Sequence, residues 1–252
     1  MNASDRADFV AAERERIQLE YHRRAREISP DRYAAWQPAS RFMLESRNRM
    51  GAAMLHRLDV FPQPGDQCLE VGFGNIGWLS ELIGWGVSES NLHGIELYPD
   101  RANKAREILP AADLRTGDAA ELPWEDGTFR LVIASTLFTS VLDNDVRRLI
   151  ADEIVRVLQP GGALLWYDFA YNNPRNPNVR GIGRAEIRKL FPALRGEIRT
   201  VTLAPPLTRL IAPRWWTLAT FLEAIPLLRT HLIAVLVKEG NADSRSLPQA
   251  EE

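Results

Sequence analysis

Apolar runs and apolar stripes alternate along the chain. Short runs at Cys68–Val71, Asn91–Leu97, Ala112–Arg115, Phe129–Ser135 and Ala163–Phe169 read as strands. Between them lie segments with apolar residues at helical spacing: Trp78, Leu79 and Leu82, then Ala102, Ala105, Ile108 and Leu109, then Asp143–Leu158. Pro99 suits a helix start, and Asp143 and Asp145 supply capping and first-turn chemistry. Gln159-Pro160-Gly161-Gly162 is expected to end that last helix. Phe129–Ser135 is apolar apart from Arg130, as a strand buried on both faces requires. Alternation of strand and helix predicts a parallel sheet covered by helices on both sides.

The two ends of the chain differ from this middle. In a charged segment at Ala7–Ile28, Phe9, Ile17, Tyr21 and Ile28 give a sparse apolar stripe, which predicts a solvated helix docked by one edge, or else a lid. Pro30 and Pro38 read as breaks, and a second helix is predicted over Arg41–Leu58. Two late strands are predicted at Leu194–Leu203 and His231–Lys238, with the Trp-bearing segment Pro205–Leu228 between them. The expected organisation is an N-terminal helical extension over 1–60, a main domain over 61–238 with a helical insertion at 205–229, and a polar tail at 239–252.

The stretch Gln67–Leu82, QCLEVGFGNIGWLSEL, organises the middle: strand, three glycines, helix. Glycine serves where the backbone takes positive φ or where a ligand touches the main chain. A helix starting at such a turn points free N–H groups over it. Gly72, Gly74 and Gly77 match G-x-G-x-x-G, and Glu96 lies roughly 20 residues on, where the ribose acid of a nicotinamide-binding unit would sit. From this stretch alone a nucleotide-type cofactor and a bare glycine turn are both open.

Composition narrows the field. The 252 residues are 45% hydrophobic, with net charge −2, enough for one α/β domain with extensions. Near-neutral charge argues against a general nucleic-acid binder. The single cysteine, Cys68, falls inside a predicted strand, and no Cys or His spacing suggests a metal site. The first residues carry no apolar core of a signal peptide and no run reaches membrane-spanning length, so the expected location is the cytoplasm.

Taken in order, the motifs resemble those of the class I S-adenosylmethionine-dependent methyltransferases. Glu70-Val71-Gly72-Phe73-Gly74-Asn75-Ile76-Gly77 looks like the family's first motif, with one departure: its usual third glycine is Ile76 here, and Gly77 follows. Glu96 resembles the acid that takes the ribose hydroxyls, and Gly117-Asp118-Ala119 the site that meets the adenine. Leu122–Phe129 and Leu158–Gly162 resemble the approaches to strands four and five. The resemblance covers 66–168. It favours a methyltransferase over a nicotinamide enzyme, which gives no reason for Gly117-Asp118 or Pro160-Gly161-Gly162. It implies a Rossmann-like doubly wound seven-stranded sheet, mostly parallel with an antiparallel last strand. It also implies S-adenosyl-L-methionine as cofactor, held by Glu70, Gly72, Gly74, Asn75, Gly77, Glu96, Leu97, Asp118, Ala119 and Ser135.

Methyl transfer from a sulfonium needs alignment more than it needs a catalytic group. Should a base be used, Asp168 at the end of strand five is the best placed, although it reads equally as a structural acid. No Asn-Pro-Pro-Tyr type tetrapeptide follows strand four, where Ser135-Thr136-Leu137-Phe138 stands. That removes the usual support for methylation of an amino group of adenine or glutamine and leaves other N-methylation open. The expectation is a small-molecule acceptor, methylated at oxygen, ahead of a protein or RNA substrate. Tyr171, Arg175 and Arg180 in the long loop after strand five, with Trp215 and Trp216, are expected to form the acceptor pocket, for an anionic or lipid-linked molecule. Trp and Arg beside Leu in Pro205–Leu228 also suit peripheral contact with a membrane.

Overall fold

The structure is a computed structural model and describes residues 3–27, 29, 31, 34–74, 76–174 and 176–240. Asn75, Arg175 and Ile28 therefore lie outside the described residues, as does most of the polar tail.

Seven strands form one sheet: β1 (Cys68–Val71), β2 (Leu92–Glu96), β3 (Asp113–Thr116), β4 (Phe129–Ser135), β5 (Leu158–Phe169), β6 (Leu194–Leu203) and β7 (Arg229–Lys238). Their order is β3-β2-β1-β4-β5-β7-β6. The first five run parallel to one another, and β7 is antiparallel to both β5 and β6. This is the doubly wound sheet with an antiparallel last strand that the sequence implied.

Alternation along the strands builds two apolar layers. Val132 and Ala134 of β4 join Leu164 and Trp166 of β5 on one side, under α5 (Asn144–Val157) and α6 (Arg184–Leu190). Leu131 and Ile133 join Leu165 and Tyr167 on the other, under α2 (Pro38–Arg57), α3 (Gly77–Gly84) and α4 (Pro99–Ile108). Asp143 caps α5 by accepting from the amides of Asp145 and Val146.

Several boundaries differ from the sequence expectation, three of them for a physical reason or by a shift that bears on the sheet. Pro38 opens α2 at its first turn instead of breaking the chain, because proline lacks only an N–H that is orphaned there anyway. Gln159–Gly162 is drawn into β5, with an irregular register against β4 between Phe129 and Leu131. A Cβ on Gly162 would stand 2.9 Å from the carbonyl oxygens of Gln159 and Phe129, so only glycine lets the strands stay paired. β7 starts two residues before its predicted position.

An N-terminal helix, α1 (Ala3–Glu27), crosses above the carboxyl ends of the strands. Its Val10 and Ile17 pack on the core, while Phe9 is exposed. Glu13 accepts from the amides of Leu142 and Asp143 after β4, and His22 hydrogen-bonds the Tyr98 hydroxyl after β2 at 2.6 Å. Between β6 and β7, α7 (Pro205–Ile211) and α8 (Trp216–Glu223) pack on α2 around Phe42, Leu203, Ala212 and Ala219. Among the described residues, no helix is long and apolar enough to cross a membrane.

Candidate functional site

The sheet order reverses between β1 and β4, since the chain winds outward to β2 on one side and returns to β4 on the other. Such a reversal leaves a crevice at the carboxyl ends of the strands. A cleft of ≈ 610 Å³ opens there, between α1 and α2, within the range of small-ligand sites. Glu70, Gly72, Gly74, Gly77, Glu96, Leu97, Asp118, Ala119 and Ser135 all line it.

The glycine turn explains its own departure from the family pattern. Gly72 and Gly74 take φ of +73° and +57°, and Gly72 donates to the Ile95 carbonyl at 2.8 Å. Ile76 also takes a left-handed φ, +51°, whereas Gly77 begins α3. The conformation for which the family ordinarily uses glycine is thus present, carried by a β-branched residue at a cost of about 1–3 kcal/mol.

Two carboxylates anchor this turn. Glu96 is buried; one oxygen accepts from the Gly74 amide at 2.8 Å and the other from the Tyr98 amide at 3.0 Å. Each oxygen of an ionised carboxyl keeps a further lone pair, so Glu96 can still accept from a pair of neighbouring hydroxyls. Glu70 accepts from the Leu79 amide at 3.1 Å, and burial pushes its carboxyl up to about 8 against the pull of Arg47. Asp118 accepts from the Ala120 amide at 2.9 Å, which fixes its turn and leaves its carboxylate on the cleft wall.

Arg47 is the residue that sequence reasoning missed. Its guanidinium sits 4.2 Å from the centre of the Trp78 ring and donates to Asn48 at 3.0 Å and to Ser135 at 3.4 Å. Its Nη2 is buried without a partner. Burial works against its charge, but guanidinium stays protonated in proteins. The signal was the helical spacing of Arg47 with Gly51, Met54 and Leu55, which places a cation on the buried face of α2.

The remaining sequence candidates among the described residues do not line the cleft. Asp168 is buried elsewhere, accepting from the Thr139 amide at 3.0 Å and from the Thr139 hydroxyl and Phe169 amide. Burial raises it to about 6, but its partners hold together the turn after β4 rather than face the cleft. Arg180 donates to Asn144 and Glu186, both at 2.7 Å, and Tyr171 is exposed. Trp215 and Trp216 border a separate shallow depression with Arg214, Thr217 and Leu218. No cleft-lining residue comes from 171–180 or 205–229 among the described residues.

S-adenosyl-L-methionine carries a carboxylate and an ammonium at one end and vicinal hydroxyls and an adenine at the other. The cleft offers the matching set: a buried guanidinium with one unpartnered nitrogen beside the start of α3, a buried acid next to it, a second acid with spare lone pairs, and a third farther along. The residues present fit the group.

The comparisons with known proteins agree. The family model described as "Methyltransferase domain" matches residues 68–162. The phthiotriol/phenolphthiotriol dimycocerosates methyltransferase 1 of Mycobacterium ulcerans is 35% identical over 133 residues, 50% of this chain and 46% of that protein. The demethylmenaquinone methyltransferase of Bacillus cereus is 29% identical over 108 residues, 41% of this chain and 44% of its own. The aligned region spans less than half the length of these curated relatives. Among solved structures, a possible histamine N-methyltransferase from Thermotoga maritima superimposes with a TM-score of 0.58 at 18% identity, over 89% of this chain and 98% of that one, a likeness of fold. The glycine turn, the two following acids and the sheet reversal belong together with the family match over residues 68–162, and jointly they support a class I S-adenosylmethionine-dependent methyltransferase with S-adenosyl-L-methionine as its cofactor.

Proposed function

We propose that the chain methylates an oxygen of a small, largely apolar acceptor, using the cleft between α1 and α2. In this reading Glu96 accepts the ribose hydroxyls, Asp118 the adenine amino group, Glu70 the ammonium and Arg47 the carboxylate. Gly72 and Gly74 let the backbone approach, with Leu97 and Ala119 as walls and Ser135 steadying Arg47. When bound, the cofactor supplies a methyl group already activated on a sulfonium. The protein's task is to exclude water and align the acceptor.

One observation carries the acceptor reading. Val10, Ile17, Leu137, Val141, Val146 and Ile150 line the cleft together with the acids, so it is apolar as well as charged. The names of both relatives are those of enzymes acting on small molecules, which supports the same class. The choice of oxygen rests on the acids. Among the described cleft-lining residues each carboxylate already accepts a hydrogen bond: Glu13 from Arg16, Glu70 from Leu79, Glu81 from Asn48, Glu96 from Gly74 and Asp118 from Ala120. Each of these carboxylates is tied to a protein partner, and three of them hold the cofactor in this reading, which favours an acceptor that brings its own acidic oxygen, such as an enol, an acidic phenol or a carboxylic acid. Asp168, the base suggested by sequence, has no path to the cleft in this reading.

Turnover with methyl-labelled S-adenosylmethionine tests the proposal. Label should pass to lipophilic phenols, enols or carboxylic acids. Label found only in protein or RNA fractions of the same mixtures would overturn it.

The state of Glu70 gives a second test. With its carboxyl at about 8, Glu70 is protonated in the free protein at neutral pH. The cofactor's ammonium favours the ionised form, so S-adenosylhomocysteine binding at neutral pH should release about one proton. Affinity should accordingly rise with pH and level off above the Glu70 value. Calorimetry in buffers of different ionisation enthalpy reads the release, and Glu70→Gln should abolish it. Binding with no change in protonation would remove Glu70 from the ammonium site.

A further inference from the structure

The segment between β6 and β7 has one face turned in and one turned out. Thr208, Ala212, Ala219 and Glu223 are buried against α2 and β6. Glu223 accepts from the Ser46 hydroxyl at 2.6 Å and from the Leu203 amide at 3.2 Å, which locks the segment to the body. The outer face carries Leu210 (65% exposed), Trp215 (60%), Phe221 (70%) and Leu227 (94%), with Leu218 and Ile225 between them. Burying a side chain of this size is worth about 1.5–3 kcal/mol, so a group of them exposed within one short segment marks a surface that docks.

The charge on this face selects the partner. Within 205–229 the exposed ionisable residues are Arg209 and Arg214. Arg229 is engaged with the carbonyls of Glu223, Thr200 and Ala224, and the one acid of the segment, Glu223, is buried. A two-fold contact between copies would set this cationic, apolar face against itself with no acid to answer it. An anionic bilayer supplies both halves of the match: phosphate groups for the arginines, and an acyl boundary for Leu, Phe and the amphipathic Trp.

We propose that residues 205–229 form a docking cap that seats on an anionic lipid surface. The cap contributes no residue to the cleft, so this stands apart from the methyl-transfer reading. It is nonetheless coupled to the cleft wall. Phe42 and Ser46 of α2 hold the cap, with the Phe42 ring 5.1 Å from that of Trp216, while Leu44, Arg47 and Asn48 of the same helix line the cleft. Docking would place that wall beside the membrane, where apolar acceptors concentrate.

Co-sedimentation tests it with the full chain and two kinds of vesicle, phosphatidylcholine alone and an equal mixture with phosphatidylglycerol. The wild-type chain should pellet with the mixed vesicles, its tryptophan emission shifting to shorter wavelength, and partition less onto phosphatidylcholine alone. Phe221→Glu with Leu227→Glu should weaken partitioning by roughly 100-fold, since two apolar anchors are lost and two negative charges added. Arg209→Gln with Arg214→Gln should cost roughly 30-fold on the mixed vesicles and little on phosphatidylcholine, at about 1 kcal/mol per cation. S-adenosylhomocysteine affinity should be unchanged in both, as a check on folding. A wild-type chain left in the supernatant, or variants that pellet like wild type, would overturn the cap. So would light scattering that shows a wild-type dimer and a monomeric Phe221→Glu/Leu227→Glu variant, which assigns the face to a second copy. Failure of these tests leaves the turnover result untouched, and the reverse holds as well.

Discussion

Arg47→Met is expected to weaken S-adenosylhomocysteine binding by about 3 kcal/mol, roughly a hundredfold in Kd, without lowering the melting temperature. The two halves have one cause. A buried guanidinium with an unpartnered nitrogen is a cost to the folded chain until an anion reaches it. Methionine keeps an unbranched, flexible apolar stem that can lie against Trp78, so the fold loses a desolvated charge and keeps much of its packing. The cofactor's carboxylate then loses its cation. Glu70, freed from the pull of Arg47, is held still more firmly in its neutral form, which weakens the ammonium site too. Calorimetry and thermal melting on the same sample separate the effects. An unaltered Kd would show that Arg47 is merely structural, and a collapse in melting temperature would show that its contacts with Asn48 and Ser135 outweigh its desolvation.

Glu96→Ala should cost a similar amount of affinity, about 3 kcal/mol, through two lost hydrogen bonds to a charged acceptor. Unlike the Arg47 change, it should also destabilise the protein by about 1–3 kcal/mol. Glu96 closes the glycine turn in the free chain by accepting from Gly74 and Tyr98, and both amides would lose their partner. Denaturant titration reads the stability loss. A folded variant that binds with wild-type affinity would refute the ribose role. Unequal stability effects of two changes that lower affinity alike in one cleft are hard to obtain by general disruption, so the pair of variants is more informative than either alone.

Much of the fold was legible because periodicity reports burial directly. The bounds of β6 and of β4 follow from their apolar patterns, and the start of α5 from Asp143. Main-chain demands were legible too: the turn at Gly72 and Gly74 was readable as positive φ, while the strain at Ile76 was not, since nothing in an isoleucine announces it. The misplacements share a cause, which is that sequence does not reveal a charged or aromatic group's partner. Arg180 reads as a free guanidinium in a loop, yet Glu186 and Asn144 claim it. Asp168 ends its strand beside the active edge, but its neighbour Thr139 takes both carboxylate oxygens. Trp215 and Trp216 look the same whether they wall a pocket or face outward. Arg47 stood on the buried stripe of its helix all along and went unread because one cation among apolar residues is easily taken for a solvated edge.

The place of β7 in the sheet bears on how the chain matures on the ribosome. Residues 229–238 are made after everything they connect, and they fill the gap between β5 and β6. Until they emerge, β5 has an open edge and β6 has no strand to pair with. The nascent protein therefore passes through a stage with two unpaired strand borders next to an already apolar core, the kind of species that recruits another chain instead. A product cut or terminated before residue 229 would be fixed at that stage, so such fragments should feed aggregation and proteolysis rather than persist as partly active enzyme.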